Sequence, residues 1–135
     1  MSSLKQFKHM EKAAVHQQQL ISELNTLVKD IERCEKTILD LQTELEKVNS
    51  KHKDRKTTRD DIAYLEDLLK CANRKLAWEK QMASLQKRTP AILERMTKLI
   101  NDPQAPPDDQ VRARMLAGLQ AIQNAMERLQ NAKVQ

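Results

Sequence analysis

Residues 24–48 read LNTLVKDIERCEKTILDLQTELEKV, with no Gly, no Pro and no aromatic ring. Leu24, Leu27, Ile31, Cys34, Ile38, Leu41, Leu45 and Val48 step along it by three and four. At about 3.6 residues per turn, that spacing lays one unbroken apolar seam on a long helix. Most helical stability in water comes from packing such a face, so the seam must close against something. What closes it decides the fold.

With Leu24 taken as a heptad a position, the a series is Met10, Gln17, Leu24, Ile31, Ile38 and Leu45. The d series is Ala13, Leu20, Leu27, Cys34, Leu41 and Val48. Gln17 alone is polar; a polar seam residue fixes register or marks a frayed end. Ile21 and Val28 occupy e positions and widen the stripe, which predicts contact with two neighbours, in a three- or four-helix bundle. The expected partner-helix seam is Leu20, Leu24, Leu27, Ile31, Cys34, Ile38, Leu41, Leu45 and Val48. A helix of about 39 residues spans ~58 Å and is a rod.

Composition agrees with an all-α chain. One Phe, one Trp, one Tyr and one Gly among 135 residues leave little material for a ring-filled core or for β-hairpin turns. Charged residues reach 32%, as in long helices and coiled coils. No run of apolar residues is long enough to span a membrane, and MSSLKQFKHMEK lacks the apolar centre of a secretory signal. Two isolated cysteines, Cys34 and Cys71, do not make a disulfide framework and suit a reducing compartment. Net charge is +5, concentrated in the middle: residues 1–50 carry −1, residues 51–100 +6, and residues 101–135 are neutral.

The seam stops at 49–61, NSKHKDRKTTRDD, where His52 and Arg55 would fall next in register. Thr58 followed by Asp61 resembles a capping box, which predicts a second helix folding back along the first. Its seam is read as Ile62, Leu65, Leu69, Ala72 and Leu76. A one-residue reset then leads to Trp78, Met82, Leu85, Thr89, Ile92, Met96 and Leu99. Thr89-Pro90 predicts a bend or break there. NDPQAPPDD, residues 101–109, is a helix stop, and Asp108 and Asp109 suit the start of a last helix bearing Val111, Met115, Leu119, Ile122, Met126 and Leu129. The expected organisation is therefore a coiled-coil rod or hairpin over 1–100, a proline-rich linker over 101–109 and a short C-terminal helix over 110–135.

Chemistry is sparse. The chain has no phosphate-cradling glycine loop, no HExxH and no paired CxxC, and its carboxylates alternate with Lys and Arg as on solvated helix faces. No enzyme, metal or cofactor is expected. Lys51, Lys53, Arg55, Lys56 and Arg59 form either a solvated turn or a contact for a polyanion. Without interleaved aromatics, reading of nucleic acid by sequence is not expected.

The 24–48 seam, the basic middle and the proline-punctuated last helix together resemble the small helical subunits of spindle and microtubule complexes, of which augmin is one example. That resemblance implies a non-enzymatic subunit bound to other coiled-coil proteins, in the cytoplasm on the cytoskeleton or spindle, with acidic microtubules nearby. Small subunits of vesicle-tethering or lysosome-positioning complexes look much the same. A basic nucleic-acid-binding dimer is the reading from another class.

Overall fold

The computed structural model describes residues 2–134; Met1 and Gln135, the outer limits of the division above, lie outside it. Three helices make up the fold: α1 (Ser2–Lys51), α2 (Thr58–Ile100) and α3 (Asp109–Val134). Helix α1 is the shared spine. Helix α2 returns antiparallel along its length, α3 runs parallel to it on a neighbouring face, and α2 and α3 barely touch each other. The seam therefore closes on its own chain over most of its length.

The widened stripe explains this arrangement. Leu20, Leu24, Leu27, Ile31 and Cys34 are almost wholly enclosed, and the e-position Ile21 is buried with them. Two buried faces on one helix are what two flanking helices require. Leu45 departs from the reading. It is 41% exposed, because α3 has already ended at its level. Met10 is also exposed, at the other end of the seam.

Gln17 is buried and donates through Nε2 to the Ala105 carbonyl at 3.3 Å, so this polar seam residue fastens the proline-rich connection. Gln42 does the same further along, donating to the Ala132 carbonyl at 2.8 Å. Between these two ties α3 contributes Met115, Ile122, Ala125 and Leu129 to the core. The only glycine, Gly118, lies where α1 and α3 approach most tightly. A Cβ there would sit 2.9 Å from Leu24 Cδ1 and 3.2 Å from Leu24 Cβ. Gly118→Val is expected to destabilise the fold by about 1–3 kcal/mol, the usual cost of overpacking. Chemical denaturation of the variant, with its midpoint compared to the wild type, checks this.

The turn region corrects the capping assignment by one residue. Thr57 is the N-cap, and Asp60 completes the box: Asp60 N donates to Thr57 Oγ1 at 3.1 Å, and Thr57 N to Asp60 Oδ2 at 3.3 Å. Both Thr-x-x-Asp frames, 57–60 and 58–61, satisfy the same sequence rule, and the chain uses the first.

Helix α2 also runs through Pro90 without a break. The proline removes one ladder donor, and beside it the Thr89 hydroxyl donates to the Leu85 carbonyl at 2.7 Å. The seam of α2 is corrected as well. Tyr64, Leu68, Cys71, Trp78, Met82, Leu85, Ile92 and Met96 form one inward series with no reset. Ile62, Leu65, Leu69 and Leu76 stand outside it, each more than half exposed.

Charge asymmetry along the chain is partly internal. Arg95 meets Glu23 at 2.6 Å, Arg88 meets Asp30 at 2.9 Å, and Arg74 meets Glu44, each an α2 cation on an α1 carboxylate. Arg128 of α3 meets Glu35 at 3.5 Å. These pairs are half-exposed and add little stability, but they fix which face of each helix meets α1.

Candidate helix-docking groove

The helices differ greatly in length, at 50, 43 and 26 residues. Because α3 is level with Gln42 at Ala132, the last nine or so residues of α1, about 14 Å, have only α2 beside them. A groove of about 700 Å³ lies at this step. Ile38, Leu41 and Leu45 form its α1 wall, and Leu68, Cys71, Trp78 and Met82 its α2 wall. Lys133 closes the end against α3, and Lys75 and Glu79 stand along the side.

Trp78 anchors the wall. Its indole Nε1 donates to the Cys34 carbonyl at 2.9 Å, and the ring is 3% exposed. Burial pushes the Cys34 thiol up, partly offset by the contact with Trp78. A raised value disfavours thiolate, so Cys34 serves as a small apolar residue. Cys71 is a free cysteine on the groove wall. Among the described residues, no group of three or more His, Cys, Asp or Glu is placed to hold a metal ion. No described helix is long and apolar enough to cross a membrane.

The hairpin tip beyond the groove is held rigid by aromatic and ionic contacts. His52, read as a residue that avoids burial, is 9% exposed. Its Nε2 lies 2.7 Å from Asp67 Oδ2, and Lys51 Nζ is 3.6 Å from the same oxygen. The Tyr64 hydroxyl donates to Asn49 Oδ1 at 2.8 Å, and the Arg55 guanidinium lies 4.0 Å over the Tyr64 ring. At the opposite end His9 Nε2 meets Asp102 Oδ2 at 2.9 Å.

These contacts divide the five basic residues of the tip. Lys51 and Arg55 have internal carboxylate partners, Asp67 and Asp61. Lys53, Lys56 and Arg59 are exposed and enter no ion pair.

The hydrogen bond from His52 holds the Asp67 carboxyl below its ordinary range, and the one from His9 does so for Asp102. A carboxylate depressed on folding contributes stability above its unfolded value of about 4. That contribution is lost as pH falls through the lower folded value. The thermal midpoint is therefore expected to fall below about pH 4, and less steeply in Asp67→Asn and Asp102→Asn. Melting curves followed by circular dichroism across that range check the sign.

No protein-family model, curated protein or solved structure matches this chain. The groove is therefore read on its own geometry. Sequence patterning placed its α1 residues on the seam but could not show the opening. The available signal was length: 26 residues of α3 cover only about half of a 50-residue spine.

Proposed function

We propose that the chain is a non-enzymatic coiled-coil subunit of a multiprotein assembly, and that its groove receives an amphipathic helix from a different protein. The observation that carries this reading is the apolar step where α3 ends and the α1–α2 hairpin continues. An incoming helix would extend the interface that α3 already makes, placing its own i, i+3, i+4 residues over Leu41, Leu45, Leu68 and Cys71. Lys75 and Lys133 favour acidic residues on its flank. The groove wall is apolar and lacks the convergent polar groups that orient a small substrate.

The assembly proposed is one that works on microtubules, in the cytoskeleton or spindle. Support comes from the class resemblance and from Lys53, Lys56 and Arg59, free of internal partners at the tip, where an acidic polymer surface can be met.

Purification of the tagged native protein in high salt, with stoichiometry quantified, tests the subunit reading. A long-helix protein is expected in equal amount, lost from Leu45→Glu/Leu68→Glu and retained by Glu32→Lys. Equal recovery with both variants, or no partner at all, contradicts it. Co-sedimentation of the purified assembly with microtubules tests the setting, with binding expected to weaken in Lys53→Glu/Lys56→Glu/Arg59→Glu. Absence of binding by the intact assembly at low salt removes the microtubule proposal and leaves the groove untouched.

A further inference from the structure

Helix α2 carries a second stripe that no part of the described chain covers. Ile62, Leu65, Leu69, Ala72 and Leu76 again step by three and four, and the four large residues are 52–62% exposed. Over about 15 residues they form an apolar line ~21 Å long. Scattered exposed leucines are ordinary, but a contiguous line of them marks an interaction surface. The stripe faces away from the α1 contact and beside the groove, so it needs an occupant of its own.

The flanking charges select that occupant. With Ile62, Leu69 and Leu76 as a positions and Leu65 and Ala72 as d, the g positions include Asp61 and Lys75, and the e positions Glu66 and Lys80. The acidic residues lie toward the hairpin tip and the basic ones toward the body. A parallel copy would set g against e, bringing Asp61 onto Glu66 and Lys75 onto Lys80, like against like on both flanks. An antiparallel copy reverses this.

We infer that a second copy of this chain pairs antiparallel across the stripe, about a two-fold axis between residues 70 and 71. Leu65 then faces Leu76 of the second copy, and Leu69 faces Ala72, whose small side chain lets the helices approach closely. The g flanks bring Asp61 toward Lys75, and the e flanks bring Glu66 toward Lys80. Glu66 and Lys80 are exposed and have no partner within the chain, whereas Asp61 also meets Arg55 at 3.2 Å. The symmetry makes every contact occur twice, as a closed isologous interface requires. The inference does not depend on the groove: the stripe lies on a different face and its occupant is this chain itself.

Analytical ultracentrifugation of the full purified chain over a wide concentration range is the test. The wild type is expected to show a concentration-dependent dimer. Leu69→Glu, a change at an exposed position that should leave the helical circular dichroism intact, is expected to weaken it at least ~30-fold. Glu66→Lys and Lys80→Glu should each dimerise less than the wild type, and an equimolar mixture of the two should recover the dimer. Register is read by disulfide trapping. Leu65→Cys mixed with Leu76→Cys should cross-link, and Leu65→Cys alone should not. A wild type that stays monomeric throughout, or a dimer indifferent to Leu69→Glu, overturns the proposal. Cross-linking of Leu65→Cys to itself overturns the antiparallel order.

Discussion

Leu27→Asp is expected to abolish the cooperative folding of the chain. Leu27 is fully enclosed on α1, in the stretch where α2 and α3 both pack against the spine. Removing its side chain forfeits about 2–5 kcal/mol, and the carboxylate that replaces it finds no cation inside that seam. The total exceeds ~5 kcal/mol and is comparable with the whole stability of a small domain. Circular dichroism should show loss of the sigmoidal thermal transition. Ile38→Asp, 7% exposed, should act in the same direction. Glu32→Lys, at an exposed position of the same helix, should change stability by less than ~0.5 kcal/mol and serves as the matched control.

Trp78→Ala is expected to be the second most damaging change, at about 3–5 kcal/mol. The indole is 3% exposed, bridges α2 to the Cys34 carbonyl and forms part of the groove wall. Trp78→Phe keeps a ring but loses the N–H donor, so it should recover most of that loss and remain about 1 kcal/mol below the wild type. Urea unfolding of the three proteins gives the order directly. As the only tryptophan, Trp78 also reports on its surroundings: its fluorescence should become harder to quench with acrylamide when the groove is filled.

The two helices differ in how fully their patterns could be read. On α1 the three-and-four spacing is unbroken and the competing face is charged, so a single assignment fits and its enclosed positions follow. On α2 two apolar series coexist between residues 62 and 78. The more hydrophobic one, Ile62-Leu65-Leu69-Leu76, invites burial, yet Tyr64, Leu68 and Cys71 face α1. Hydropathy ranks the faces in the wrong order because the tip contacts select the face. Tyr64 to Asn49 and His52 to Asp67 set the rotation of α2 before its first leucine. Such pairings across a turn leave no periodic trace.

Other parts were legible in kind and off in detail. Paired threonines and paired aspartates leave the cap ambiguous by one residue. Thr89-Pro90 has the composition of a helix start, but Ile92 and Met96 continue the inward series of α2 across it and hold the helix together. Leu45 obeys the seam pattern and is exposed because burial depends on where α3 stops, a property of another segment. The groove follows from that same mismatch in length. It arises from three helices taken together, so no single motif carries it.

The most direct test of the central claim, that the groove at the end of α3 holds a helix of another protein, is site-specific photocross-linking in the native assembly. A photoreactive residue is placed at Leu68, with a second protein bearing it at the exposed Glu32 as the comparison. Cross-links from position 68 to an amphipathic helical segment of one protein at equal stoichiometry, absent from position 32, are the predicted result. Equal labelling from both positions, or position 68 reacting only with water in the intact assembly, would contradict the account.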